Sequence, residues 1–90
     1  MTPAPVISER DAAILDFERG WWQLPIAKDQ AIRERFSLSG AQYYQILNSL
    51  IDTREALAFD PLLVKRLRRL RAQRRAERVA GRVAYDQQAG

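Results

Sequence analysis

Ninety residues make one domain at most, and a chain this short buries a limited fraction of its surface, so a compact helical core or an oligomer is expected. The absence of cysteine and histidine excludes disulfides, thiolate nucleophiles, imidazole bases and the usual zinc sites, zinc fingers among them. The net charge of +4 hides a segregation: residues 65–82 hold nine cations and one acid, whereas residues 1–64 hold six basic and nine acidic side chains.

The first five residues contain two prolines and no periodic pattern, so residues 1–7 are expected to be a disordered tip. They lack the layout of a signal peptide, and no stretch approaches the roughly 18 apolar residues of a membrane span, so a cytosolic protein is expected. Ser8 is placed to accept from the orphaned amides of a first helix, with Glu9 and Asp11 complementing its dipole. Ala12, Ile14, Leu15, Phe17, Trp21 and Trp22 give that helix an apolar stripe, and Gly20 loosens or ends it. Pro25 suits the first turn of a second helix, whose apolar positions are Ala27, Ala31, Ile32 and Phe36.

Ser37-Leu38-Ser39 interrupts, and Ser39 is the expected N-cap of a third helix from Gly40 to about Ile51, with Tyr43, Ile46, Leu47, Leu50 and Ile51 inward. Thr53 opens a short helical turn over Arg54 to Ala58. Asp60-Pro61 then starts a long helix with proline at its first position. Leu63, Leu67 and Leu70 are expected to dock that helix onto the bundle, after which the stripe thins to Ala72, Ala76, Val79, Ala80 and Val83. The expected fold is all-α, a small helical bundle containing a helix-turn-helix at 25–51 and a long basic C-terminal helix at 61–83. Residues 8–83 form the domain and residues 84–90 a flexible tail.

Within Ile32 to Ile46, apolar residues fall at Phe36, Leu38, Tyr43 and Ile46, the set that closes the small core between two steeply crossed helices. In a helix-turn-helix the second helix enters the major groove, which makes Gln42, Tyr44, Gln45 and Asn48 the candidate base readers, with Ala41 and Ser49 beside them. Gln and Asn can pair bidentately with adenine, and Tyr44 and Ala41 could meet thymine methyl groups. Two departures stand out: Arg33 occupies the usually small position after Ile32, although Ala31 is one place earlier, and Ser37 replaces the common turn glycine. Gly40 to Ile51 carries no charge, so phosphate contacts must come from elsewhere.

The last helix supplies them. Lys65, Arg66, Arg68, Arg69, Arg71, Arg74, Arg75 and Arg78 are the candidate phosphate clamps; Arg82 completes the cationic run against the single acid Glu77. A polyanion is the partner such segregation favours, and duplex DNA is the first to consider, with RNA open. If five to eight cations meet phosphates, each contributes about −0.9 to the log–log salt slope. The competing readings are an acidic protein surface and a merely solvated helix. Adjacent Trp21 and Trp22 lie about 100° apart on a helix, so one is expected at the surface, where it could anchor a protein partner. Tyr43 is expected buried and Tyr44 exposed. Asp16 with Glu18, or Asp29 with Glu34, converge on no nucleophile, so no catalysis is expected.

The runs Ile14-Leu15-Asp16-Phe17-Glu18-Arg19-Gly20-Trp21-Trp22, Ala31-Ile32-Arg33-Glu34-Arg35-Phe36, Tyr43-Tyr44-Gln45 and Asp60 to Arg71 resemble an actinobacterial family of small proteins of unknown function. The resemblance spans roughly Ala12 to Ala72. In layout the chain is similar to helix-turn-helix regulators and to region four of sigma factors. The reading is a DNA-binding, nucleoid-associated factor or small transcription regulator, without cofactor, for which a homodimer would double the interface. The rival reading is an adaptor for RNA polymerase or a sigma factor, using Trp21 or Trp22.

Overall fold

The computed structural model describes residues 6–89, with side chains described through residue 81. Of the expected disordered tip at residues 1–7, residues 1–5 lie outside these, whereas Ile7 packs half-buried against the core; Gly90 and the side chains of residues 82–89 also lie outside. Five α-helices follow one another: α1 (Glu9–Gly20), α2 (Lys28–Phe36), α3 (Gly40–Leu50), α4 (Arg54–Phe59) and α5 (Pro61–Ala89). One 3-10 turn, Trp21–Gln23, links α1 to α2, and no strand occurs among the described residues.

The helix starts follow from short polar side chains. Ser8 Oγ accepts from the Asp11 amide, Thr53 Oγ1 from Ala56 and Asp60 Oδ1 from Leu63, at 3.1, 3.2 and 3.2 Å. Ser39 forms a reciprocal box: its Oγ accepts from the Gln42 amide while Gln42 Oε1 accepts from the Ser39 amide, both at 3.1 Å. Each such cap contributes about 1 kcal/mol. Asp60 also takes Arg19 Nη2 at 2.6 Å, tying the end of α1 to the start of α5.

The start of α2 departs from the expectation. Pro25 lies before the helix, which begins at Lys28 behind an N-cap, Ala27, that has no side-chain acceptor. Proline disfavours the helical basin for its predecessor, and Leu24 is accordingly extended at φ −80°, ψ 143°. Ala27 is still extended at φ −63°, ψ 147°, so the chain turns helical only after it. The other end of α2 is closed by Ser37 in the left-handed region, φ 56°, ψ 35°, the conformation that more often calls for glycine.

Ile14, Leu15 and Phe17 of α1, Ala31 and Ile32 of α2, Tyr43, Leu47 and Leu50 of α3, Ile51, Ala56 of α4, and Leu63 and Val64 of α5 form one buried core. Phe36, Leu38 and Ile46 pack half-buried against it. Phe17 meets Phe36 and Tyr43 edge-on, with centroids 5.6 and 5.9 Å apart. Ala31 is buried at 1% exposure, and Arg33 is exposed.

Docking of α5 runs along Leu63, Val64 and Leu67 rather than Leu63, Leu67 and Leu70: Leu70 is 40% exposed. The seam turns toward Val64 because Arg68 and Arg71, one and two turns on, take the positions facing α3. The helix continues past the bundle to Ala89, without a break at the expected boundary of 83. That projection raises the radius of gyration to 16.3 Å. A compact chain of this length would have about 12 Å.

Candidate functional site

Ser39 and its box fix where α3 begins, and thereby which side chains it turns outward. Ala41, Gln42, Gln45, Asn48 and Ser49 are all exposed and uncharged. Tyr44 is half-buried, against the expectation of a surface position: its ring meets Tyr43 edge-on at 5.3 Å and carries Lys28 Nζ over its face at 5.0 Å. Gln42 turns its carbonyl back into the cap, so the bidentate amide geometry that adenine requires is open to it only if the box breaks. Gln45 and Ser49 face the flank where Arg10 and Asp11 of α1 lie, whereas Tyr44 and Asn48 face α5.

Between α3 and the projecting part of α5 runs a groove of about 530 Å³. Trp22, Leu47, Ile51, Leu67 and Leu70 give it apolar surface, and Arg66, Arg71, Arg74, Arg75 and Arg78 line it with cations. Five of the eight candidate clamps therefore share a groove with two of the four candidate readers. Lys65 and Arg69 are exposed but do not line it. Arg66 stacks over Trp22 with its guanidinium carbon 5.6 Å from the ring centroid.

Two of the candidate clamps have a different occupation. Arg68 Nε donates to the Ile51 carbonyl at 2.6 Å, and Arg71 donates to the Asn48 carbonyl at 3.1 Å. Arg71 also pairs with the Asp52 carboxylate at 2.7 Å. The last carbonyls of α3 lack helical partners and sit at the negative end of its dipole, so two guanidinium groups satisfy both needs at once. The Arg71 hydrogen bond holds the Asp52 carboxyl below its ordinary range, and Asp52 in turn raises Arg71. Arg68 and Arg71 are thus staples between α5 and α3.

A second cluster was not picked out from the sequence. Glu18, at 4% exposure, lines the groove with Lys28 and accepts from Tyr43 Oη at 2.8 Å and from Lys28 Nζ at 3.1 Å. The Lys28 ammonium also sits 4.8 Å above the Trp21 ring, which completes an aromatic wall around it with Tyr44. Burial above all, and then the Glu18 charge and hydrogen bond, keep the Tyr43 phenol protonated far above its usual range. Glu18 stands four residues after Ile14 on the inward face of α1, and an acid at such a position signals a buried partner. Trp21 is half-buried and Trp22 50% exposed, so Trp22 is the outward member of the pair.

Among the described residues, no group of three or more acids is placed to hold a metal ion, and no helix is long and apolar enough to cross a membrane. No curated protein and no solved structure matches the chain. The family described as Protein of unknown function (DUF3263) matches residues 6–79, from the residue before Ile7 through all five groove arginines, and the chain belongs to that family.

Proposed function

We propose that this protein binds duplex DNA as a small transcription regulator or nucleoid factor. In this reading α2 and α3 act as a helix-turn-helix, and the uncharged outer face of α3 reads base edges. Arg66, Arg74, Arg75 and Arg78 hold the adjoining sugar–phosphate backbone. The observation that supports it is the shared groove: Asn48 and Tyr44 on α3 look across at these arginines, so a duplex meeting one side chain set meets the other. The neutral helix specifies and the cations anchor, since base edges carry sequence information and phosphates do not.

Asn48, exposed on the groove side of α3, is the principal reader on this account, and Gln45, exposed on the flank toward α1, reads beside it. Tyr44 contributes its ring edge, and Gln42 contributes mainly to the cap. Lys65 and Arg69, lying away from the groove, add long-range attraction rather than contacts. Asn48→Ala should lower discrimination among sites by about 1–3 kcal/mol at one base position with little change in salt slope. An electrophoretic shift on duplexes differing at single positions measures it; equal losses on every sequence would contradict the role given to Asn48.

A further inference from the structure

The groove has a component that a duplex leaves uncovered. Trp22 and Leu70 are 50% and 40% exposed, side by side with arginines, and a sugar–phosphate backbone, polar but for its deoxyribose C–H groups, offers little apolar surface to bury them. We propose that this groove also docks an acidic amphipathic helix of a partner protein. Trp22 and Leu70 take its apolar stripe, and Arg66, Arg74, Arg75 and Arg78 take its carboxylates.

Charge and spacing both select that occupant. The acids near the groove are already matched, Asp52 by Arg71 and Glu18 by Lys28, so the remaining wall presents cations alone. Along α5, Arg66, Leu70, Arg74 and Arg78 recur every four residues, one per helical turn. A helix laid alongside repeats at the same pitch, so glutamates one turn apart meet Arg74 and Arg78, a third two turns further along meets Arg66, and the leucines at the level between meet Leu70 and Trp22. Tryptophan and arginine are the residue types that most often dominate such contacts. The arginines cannot hold phosphate and carboxylate together, so a docked helix excludes the duplex.

The test uses a fluorescein-labelled synthetic peptide with leucines at alternating three- and four-residue spacing and glutamates between them. A second peptide keeps the glutamates and replaces leucine by serine. Anisotropy titrations of the full chain should show the leucine peptide binding at least about tenfold tighter than the serine peptide. The variant Trp22→Ala with Leu70→Ser should reduce the leucine peptide to the level of the serine one. Amide shifts in the isotope-labelled wild-type chain give a reading without a variant, and should centre on Trp22, Asn48 and Leu70. Equal affinity for both peptides, no binding of either, or shifts confined to another face would overturn the proposal. The same titration with duplex DNA separates the two ideas: peptide capture without any DNA binding removes the DNA reading and leaves this one.

Discussion

Ser37 concentrates the cost of the α2–α3 connection in a single residue. A side chain at φ 56° crowds the following carbonyl, by about 1–2 kcal/mol relative to right-handed backbone, and only glycine escapes this. Ser37→Gly should therefore raise the unfolding free energy by up to about 1 kcal/mol, and Ser37→Val should lower it by at least about 1 kcal/mol, in urea melts. Tyr43 makes a second prediction, in alkaline solution. Its folded pKa lies above the unfolded value of 10.0, so above that pH the unfolded chain binds fewer protons than the native one. Its contribution is fully present below about pH 10 and declines above it by up to about 1.4 kcal/mol per pH unit. Tyr43→Phe should remove that part of the decline, at a cost of about 1–2 kcal/mol at neutral pH from the lost bond to Glu18. A pH series of melts showing the same alkaline slope in both proteins would contradict the arrangement. Neither effect was fully legible in the sequence: Ser37 was visible as the odd turn residue, but the partner of Glu18 lies twenty-five residues away in α3.

The elements themselves were largely written in the caps. Ser8, Ser39, Thr53 and Asp60 each begin a helix where their side chains can reach an orphaned amide, and apolar spacing names most of the core. Pro25 misleads because an extended Leu24 suits a helix start at the proline equally well; the chain instead bends through Ile26, stays extended at Ala27 and turns helical only at Lys28. The arginines of α5 look alike in a list of charges, yet their angular positions divide them. Arg68 and Arg71 continue the Val64 row onto the end of α3, whereas Arg69 points away from the groove. Arg68→Ala should cost about 1.5–3 kcal/mol of stability, since a charged donor to a part-buried carbonyl is lost. Arg69→Ala should stay within about 0.5 kcal/mol. Thermal or urea melts of the two variants distinguish staple from surface charge, and equal stabilities would refute the assignment of Arg68.

At the scale of the whole molecule, charge segregation was plain from the sequence, and its geometry was not. Periodicity places Leu70 on the docking seam, but the turn of α5 toward Val64 exposes it and brings Arg66, Arg74, Arg75 and Arg78 around one groove. The acidic bundle and the cationic projection give the molecule a charge asymmetry that, on the proposed reading, orients it toward a polyanion before contact. What the sequence lacked was the tertiary register of α5 against α3, set by two arginines, Arg68 and Arg71, that charge counting assigns to phosphate.

The most direct test is the salt dependence of duplex affinity, measured by anisotropy for the wild type and for Arg74→Ala with Arg75→Ala. With four arginines meeting phosphates, the log–log slope should be about −3 to −5, and the double variant should flatten it by roughly 2 while weakening every sequence alike. A wild type that leaves duplex DNA unbound at micromolar protein and low salt, or a slope unmoved by losing both arginines, would contradict the account.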